Sequence, residues 1–311
     1  MTTATLPFHA HSTPSDVLAG VDLTGRRMIV TGGGAGIGAE ITRSLTRAGA
    51  DVTIAVRNPE RVSHDLTTDD LASHIHVEHI DLADLESVRS FAGRWQGPVD
   101  AVVCNAGVMA IPDLQRTATG WEYQLAVNFL GHFALALQLQ PALAAAHGRL
   151  VVVSSGAHRD VPFDFDDPQF HDRPYDRWVA YGQSKTADIL LATEAARRWV
   201  DRGITANAVN PGWVMTDLQR HLDDETMRAM GAIDDDGNVI PQPYSKTLEE
   251  AAAPSVLLAA SPLAASLSGV YLEDNQPAAV TASGPAGVAP HAVADAAAQR
   301  LWDLAEAAVR M

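Results

Sequence analysis

Tyr181 and Lys185 lie four positions apart in a stretch that predicts a helix. Residues at this spacing share one face of a helix, a turn apart. A phenol is a poor acid or base at neutral pH because its pKa is about 10. A nearby ammonium favours the phenolate and lowers that pKa, which makes the tyrosine usable for proton transfer. Taken alone, however, the pair is better interpreted as an ordinary surface pair.

A glycine-rich run from Thr31 to Gly38 is a second candidate functional motif, for phosphate binding. It follows the apolar residues 28–30, which predict a buried strand, and precedes the helix-forming residues 39–48. Glycines let the backbone turn sharply and approach a pyrophosphate, and a helix N-terminus offers free N–H groups. A glycine run alone could be a flexible loop, so its position between strand and helix is what predicts phosphate binding.

The elements that would position these residues alternate along the chain. The pattern predicts strands at 28–30, 51–56, 76–80, 101–104, 149–153, 205–209 and 270–272. Helices are predicted between them, including 119–146, 179–200, 247–260 and 290–309. Strands that are nearly continuous in apolar residues and alternate with helices predict a parallel sheet covered on both faces. Such sheets bind ligands at the carboxyl ends of their strands.

Two segments fall outside this alternation. Residues 1–24 are rich in Thr, Ser, Pro and His, and they predict an N-terminal extension that forms a tail or surface strap rather than a core element. Residues 213–245 show no clean period, and long irregular segments in compact domains are often functional lids. We therefore predict one domain over 25–311, with a substrate lid at about 213–245.

The composition narrows the function classes. The chain has 311 residues and a net charge of −16, which would repel a phosphate backbone and disfavours nucleic acid as a partner. A single cysteine, Cys104, cannot form an internal disulfide and favours a reducing compartment. The sequence shows no signal peptide and no uninterrupted apolar run of about 18 residues, so we expect a cytoplasmic protein without a membrane partner. The twelve histidines lack metal-ligand spacing, so we expect no metal site.

The motifs together resemble the short-chain dehydrogenase/reductase family. They are Thr31-Gly-x-x-x-Gly-Ile-Gly38, Asn105-Ala-Gly107, Asn128, Ser155, Tyr181-x-x-x-Lys185 and Pro211-Gly212, in the family's order. The resemblance runs from about Gly25 to Tyr271 and implies a single-domain α/β, Rossmann-like, doubly wound parallel sheet of about seven strands with helices on both faces.

Finer features resemble the subgroup that contains retinol dehydrogenases and the WW-domain-containing oxidoreductase. They are the insert with Phe163-Asp-Phe-Asp-Asp-Pro168, Ala157-His158, Tyr181-Gly-Gln-Ser-Lys185, Gly269-Val-Tyr-Leu-Glu-Asp274 and Ala298-Gln-Arg-Leu-Trp302.

The resemblance implies a catalytic tetrad of Asn128, Ser155, Tyr181 and Lys185. Tyr181 would exchange a proton with the substrate oxygen, and Lys185 would lower the pKa of Tyr181 and hold the nicotinamide ribose. Ser155 would hydrogen-bond the substrate carbonyl, and Asn128 would help to anchor a water-mediated proton relay.

The resemblance also implies a set of cofactor-binding positions. Asp81 and Leu82 resemble the adenine-binding pair, and Thr216 would meet the carboxamide or the phosphates. Besides Tyr181 and Lys185, the full set is Gly32, Gly34, Gly36, Ile37, Gly38, Arg57, Asn58, Asp81, Leu82, Asn105, Ala106, Gly107, Pro211, Gly212, Val214 and Thr216.

The end of the second strand bears on which nicotinamide is bound. Sites that prefer NAD place a carboxylate there, on the adenosine ribose. In this family that position is Val56, and the next residue is Arg57, whose guanidinium can fork onto a 2′-phosphate. We therefore expect NADP, with NAD less favoured; Arg57 could also be a solvated charge at the strand end.

These features predict NADP(H)-dependent hydride transfer between the nicotinamide and a carbonyl or secondary alcohol. Apolar residues in the lid favour an apolar substrate, although ordinary packing of the lid explains them equally well. Reduction of C=C or C=N bonds, epimerisation on the same fold, and a non-catalytic nucleotide-binding regulatory protein remain alternatives. The family resemblance also implies a homodimer or homotetramer.

Overall fold

A single eight-stranded sheet forms the centre of the protein. The structure is a computed structural model, and it describes residues 5–68, 70–284 and 286–310. The strands are β1 (Arg27–Thr31), β2 (Asp51–Val56), β3 (Ile75–His79), β4 (Ala101–Cys104), β5 (Arg149–Val153), β6 (Thr205–Asn210), β7 (Tyr271–Glu273) and β8 (Gln276–Pro277). Their order in the sheet is β3-β2-β1-β4-β5-β6-β7-β8, and every pair is parallel except β7 with β8.

Helices cover both faces of this sheet. They are α1 (Pro14–Val17), α2 (Gly36–Arg47), α3 (His64–Thr68), α4 (Leu85–Arg94), α5 (Tyr123–Leu125), α6 (Gly131–Ala146), α7 (Arg177–Trp199), α8 (Asp224–Ala229), α9 (Leu248–Ala260) and α10 (Asp295–Arg310). One apolar cluster joins the sheet to α2 and α9, and a larger one joins it to α4, α6, α7 and α10. The predicted doubly wound α/β fold is confirmed.

The strand count exceeds the prediction of about seven by one. The additional strand, β8, pairs antiparallel with β7 through a tight turn. Asp274 and Asn275 form that turn, and both have positive φ angles, 53° and 61°. Two successive positive φ angles are typical of the hairpin turn whose twist matches that of the strands. A two-residue strand has no periodicity of its own, so the sequence pattern gave no separate signal for it.

The prediction that residues 1–24 contribute no core element is wrong for part of the segment. Leu6, Val17, Leu18 and Leu23 are buried in the cluster on the α2 and α9 side of the sheet. The segment is held at the β7–β8 turn, where the Gln276 amide donates to the carbonyls of Leu6 (2.9 Å) and Phe8. The pairing of this segment with residues 270 positions away could not be derived from local composition.

The segment 213–245, which the sequence left irregular, contains α8 and a 3₁₀ turn at Asp217–Gln219. Its two ends are joined, because the Lys246 N–H donates to the Trp213 carbonyl over 2.9 Å. Inside the segment, Met227, Ala232 and Ile233 are buried against Trp213 and neighbouring apolar side chains. It is therefore a closed, internally packed loop at the carboxyl edge of the sheet.

A long helical run packs against both the sheet and α4. Among the described residues, the run Tyr123–Ala146 is long and apolar enough to cross a membrane by length and composition alone. Most of its most apolar window, 61%, is buried inside the fold. Residues Ala126–Leu130 of this run form a π-type turn. Such turns are found frequently at functional sites.

Trp302 packs the C-terminal helix α10 against α6 and α7. The Trp302 ring lies edge-on to Phe133 of α6 (4.9 Å between centroids) and to Trp199 of α7 (5.6 Å).

Trp302→Ala should lower the free energy of unfolding by about 3–5 kcal/mol because it leaves a cavity between three helices. Chemical denaturation measures this. Trp178→Ala, at a tryptophan that is 36% exposed, is the matched control and should cost much less; equal losses would contradict the packing role of Trp302.

Candidate active site

Three adjoining cavities open along the carboxyl edge of the sheet. The tyrosine cavity is lined by Ser155, Tyr181, Lys185, Pro211, Gly212, Val214 and Thr216 together with apolar residues of the 213–245 segment. The glycine cavity is lined by Gly32, Gly36, Ile37, Gly38, Asn105, Ala106, Gly107 and Thr216. The arginine cavity is lined by Gly34, Arg57, Asn58, Asp81 and Leu82 and shares Gly32, Ala106 and Gly107 with its neighbour. Every residue predicted to bind cofactor lines at least one of the three.

The glycine turn is built so that backbone can approach a ligand. Gly36 begins α2 with a φ of +54°, in the left-handed region that favours glycine. A Cβ on Gly38 would lie 2.2 Å from the Gly32 carbonyl oxygen, so a side chain would not fit there. The turn therefore presents the free N–H groups of the first turn of α2 to the glycine cavity, as a phosphate site requires.

The Thr31 hydroxyl lies at the end of β1 and joins two neighbouring elements. It accepts hydrogen bonds from the N–H groups of Asn105 (2.9 Å) and Ala106 (3.0 Å). On its other side it lies 2.8 Å from Nε2 of His132, which is buried in α6. His132 Nδ1 lies 2.7 Å from the Asn128 carbonyl, which can only accept, so Nδ1 carries the proton and Thr31 donates to Nε2. Burial lowers the pKa of His132 to about 4, so this ring is neutral near pH 7.

Asn128 is buried and lines none of these three cavities. Its amide oxygen accepts from the Val108 N–H (2.8 Å), and its amide nitrogen donates to the Val108 carbonyl and the Ser184 hydroxyl, both at 2.9 Å. Ser184 in turn donates to the Tyr181 carbonyl (2.7 Å). Asn128 thus connects the loop after β4 to the helix that carries Tyr181, and its side chain has no described contact with Lys185.

The two serines at the end of β5 have different environments. Ser154 is buried, and its hydroxyl donates to the Lys185 carbonyl over 2.8 Å. Ser155 is partly exposed in the tyrosine cavity. The ring of His158 does not activate Ser155, because its Nδ1 lies 2.7 Å from the Ser155 carbonyl and its Nε2 accepts from the Ala289 N–H (3.1 Å). The ring ties the serine loop to the C-terminal segment, an arrangement that does not serve a hydrolase.

Tyr181 and Lys185 lie on the buried face of α7, which starts two residues earlier than predicted because Asp176 caps its first N–H groups. The side chains are nearly buried, and the Lys185 ammonium lies 5.8 Å from the centre of the Tyr181 ring. Lys185 Nζ donates to the Val153 carbonyl at the end of β5 (2.9 Å). This geometry sets an ammonium beside a phenol at the wall of an apolar cavity, where a proton can be exchanged with a bound oxygen.

The arginine cavity has cationic groups on both sides. Arg57, one residue beyond β2, donates to the Tyr123 hydroxyl (2.9 Å). Arg220, from the 213–245 segment, lines the same cavity. Burial lowers the pKa of Arg220, and the neighbouring Arg57 lowers it further. The two guanidinium groups at this cavity repel one another, and the nearby Asp217 carboxylate acts in the opposite direction on Arg220.

Among residues 5–68, 70–284 and 286–310, no group of three or more His, Cys, Asp or Glu side chains is placed to hold a metal ion. Cys104 is buried, and burial raises the pKa of its thiol, with Asp188 adding to the shift. Such a thiol is neutral and inert at neutral pH.

The comparison with known families shows to which family the chain belongs. The sequence matches the family described as short chain dehydrogenase over residues 26–226. The chain belongs to the short-chain dehydrogenase/reductase family. It is an oxidoreductase enzyme of this family that uses a nicotinamide dinucleotide and a small-molecule substrate.

Relatives of this dehydrogenase/reductase span nearly its whole length. It is 57% identical to a probable oxidoreductase of Streptomyces lividans over 91% of this chain and 97% of that protein. It is 36% identical to human retinol dehydrogenase 13 over 90% of this chain and 83% of that protein, which supports a retinol dehydrogenase-like subgroup.

Solved structures share the same fold. An uncharacterised protein from Mycobacterium paratuberculosis has a TM-score of 0.74 and 29% identity, with 97% of this chain and 98% of that chain covered. The RhlG/NADP complex of Pseudomonas aeruginosa has a TM-score of 0.62 and 27% identity, with 81% of this chain and 95% of that chain covered.

The structure adds residues that sequence reasoning missed. His132, Arg220 and Asp188, which contacts Lys185, received no role from the pattern. His132 and Asp188 lie four and three positions after a predicted catalytic residue on a helix, so helical spacing was the available signal. Arg220 lies in a segment without period, and no sequence signal placed it opposite Arg57.

Tyr181→Phe should reduce the oxidation of NADPH by a carbonyl substrate by about 100- to 10,000-fold, because the variant lacks the proton that the phenol donates. Cofactor affinity should change little, since the ring and Lys185 remain. Steady-state kinetics and fluorescence titration of NADPH test both parts. Tyr244→Phe, at an exposed tyrosine of the 213–245 segment, is the matched control. Retained turnover in Tyr181→Phe would refute the assignment.

Proposed function

We propose that this dehydrogenase/reductase transfers a hydride between NADP(H) and a carbonyl or secondary alcohol of an apolar small molecule. The observation that carries the choice of NADP is the pair of arginines at the arginine cavity. Position 56 is valine, which cannot accept a hydrogen bond from a ribose hydroxyl, and Arg57 follows it. A 2′-phosphate between Arg57 and Arg220 would relieve the repulsion of these two cations, which the carboxylate of Asp217 offsets only in part.

The catalytic roles follow from the arrangement of the tyrosine cavity. The bound nicotinamide supplies or accepts the hydride. Tyr181 donates a proton to the substrate oxygen in the reducing direction, and Ser155 hydrogen-bonds that oxygen and orients it. Lys185 stabilises the phenolate that proton donation leaves, and its remaining N–H would hold the cofactor ribose. Asn128 holds the loop after β4 against α7 through its bonds to Val108 and Ser184, and so acts by positioning the helix that carries Tyr181.

The wall of the tyrosine cavity supports an apolar substrate. Met109, Trp213, Leu218, Met227, Met230 and Ala232 line it. All but Met109 come from the 213–245 segment, which we propose acts as the substrate lid of a domain spanning 25–311. The similarity to a protein named retinol dehydrogenase 13 points in the same direction, toward an apolar alcohol or aldehyde. With NADPH as cofactor, carbonyl reduction is the favoured cellular direction.

The cytoplasmic location stays a prediction, as does the homodimer or homotetramer that the family resemblance implies. In this chain α10 packs on α6 and α7 through Trp302. A dimer built on those two helices would therefore include α10 in its interface or displace it.

A screen of ketones, aldehydes and quinones tests the proposed activity. Purified protein is mixed with NADPH or NADH, and loss of the reduced nicotinamide is followed by absorbance. We expect oxidation of NADPH with at least one apolar carbonyl compound, and a higher kcat/KM with NADPH than with NADH. A preference for NADH, or no oxidation with any carbonyl in the panel, would contradict the proposal.

Arg57→Ala separates the phosphate contact from the rest of the cofactor site. Losing one charge-assisted hydrogen bond should cost about 1.5–3 kcal/mol, which raises the Kd for NADPH roughly 10- to 100-fold. The Kd for NADH should stay nearly unchanged. Arg89→Ala, at an arginine of α4 that pairs with Glu86 on the surface, is the matched control. Equal weakening of both cofactors in Arg57→Ala would contradict a role in selecting the 2′-phosphate.

A further inference from the structure

Lys185 has a buried carboxylate as its partner. Asp188 lies one helical turn further along α7, and its Oδ2 accepts a hydrogen bond from Lys185 Nζ over 2.8 Å. The Asp188 side chain is fully buried, and Lys185 is 5% exposed. The second oxygen, Oδ1, has no hydrogen-bond donor among the described residues. Within the part of the chain that the structure describes, the Lys185 ammonium is thus the hydrogen-bond donor to the Asp188 side chain.

Two neighbours hold the ammonium in place. One N–H of Lys185 is directed to the Val153 carbonyl and another to Asp188, which leaves the third for the tyrosine cavity. The long, flexible lysine side chain would otherwise place its ammonium in several positions. Asp188 therefore fixes the direction from which the charge acts on the neighbouring phenol.

The carboxylate also keeps the lysine charged. Burial by itself would lower the pKa of Lys185, but Asp188 above all, with smaller contributions from Tyr181 and Cys104, raises the pKa above its ordinary value. Burial in turn raises the pKa of Asp188, while the ammonium opposes that shift. Breaking such a pair by removing one partner leaves an uncompensated buried charge.

Other titratable groups face this cluster from the adjacent elements. Cys104 lies on β4, His132 on α6, and Tyr271 on β7 faces Tyr181. Burial raises the pKa of Cys104 and of Tyr271 and lowers that of His132 to about 4. All three are therefore uncharged around neutral pH, and the local charge is set by Asp188, Lys185 and Tyr181.

We propose that Asp188 is a positioning residue of the catalytic site: its carboxylate fixes the Lys185 ammonium against Val153 and sets how strongly that ammonium stabilises the Tyr181 phenolate. The proposal rests on the roles given above to Tyr181 and Lys185. It makes the working pH of the enzyme depend on a side chain that touches neither substrate nor cofactor.

Asp188→Asn tests the charge while keeping the shape and a hydrogen-bond acceptor. Removing a negative charge from a coupled cluster makes the first proton easier to lose, whether that proton leaves Tyr181 or Lys185. The titration midpoint of the Tyr181–Lys185 pair should therefore move to lower pH. We expect a shift of about one pH unit or more, equivalent to about a tenfold change in the acid dissociation constant.

The readout is the ultraviolet absorbance of the phenolate, which needs neither substrate nor cofactor. To isolate the absorbance of Tyr181, the titration curve of Tyr181→Phe is subtracted from that of the wild type. In the same way, the curve of the double variant Asp188→Asn/Tyr181→Phe is subtracted from that of Asp188→Asn. Both differences are taken within the pH range where circular dichroism is constant. If Asp188→Asn does not fold, Asp188→Ser also lacks the charge and should give the same downward shift. Asp188→Glu restores a carboxylate and should return the midpoint toward that of the wild type.

Glu194→Gln is the matched control, since Glu194 is a buried carboxylate on the same helix that pairs with Arg197 and Arg198 away from the site. Its midpoint should equal that of the wild type. An unchanged or raised midpoint in Asp188→Asn would overturn the proposal. Failure of the carbonyl panel would instead overturn the proposed function, and it would leave the titration result standing.

Discussion

The Thr31 hydroxyl is the contact on which the rest of the site depends. Thr31 is fully buried, and three of the hydrogen bonds of its hydroxyl join the end of β1 to the turn after β4 and, through His132, to the π-type turn that contains Asn128. Thr31 and His132 are buried while Asn105 and Ala106 are partly exposed, so losing the bond between Thr31 and His132 leaves an unsatisfied buried group at a cost of about 1–3 kcal/mol. The glycine turn, the Asn105 turn and Asn128 are therefore held as one rigid unit.

Helix α7 packs against that unit from the other side and is bonded to it through Ser184 and Asn128. Tyr181, Ser184, Lys185 and Asp188 recur at helical spacing on the buried face of α7. Ser184 bonds Asn128, Lys185 bonds the end of β5, and Asp188 balances the lysine charge. Buried polar contacts thus join strand ends to two helices behind the tyrosine cavity. The proposed contacts with substrate come instead from the exposed edge of the sheet and the 213–245 segment.

The sequence predicted the parts that local patterns determine. Apolar runs located the parallel strands within one or two residues. The glycine turn was placed correctly because the backbone there requires glycine: Gly36 has a positive φ angle, and a side chain on Gly38 would clash with the Gly32 carbonyl. Contacts between residues distant in sequence could not be predicted from these local patterns. The pairing of Gln276 with Leu6, the approach of Arg220 to Arg57, and the bond between His132 and Thr31 each join segments that local propensity treats as independent. Asp188 looked like an ordinary polar residue in a helix until burial and the Lys185 ammonium gave it a role.

The central claim is that this site delivers hydride to a carbonyl carbon while Tyr181 protonates the oxygen. The most direct test is turnover with NADPH deuterated at the transferable position, followed by mass spectrometry and nuclear magnetic resonance of the product. The account predicts deuterium on the carbinol carbon. Deuterium on a carbon of a former C=C or C=N bond, or an epimerised product that carries none, would contradict it.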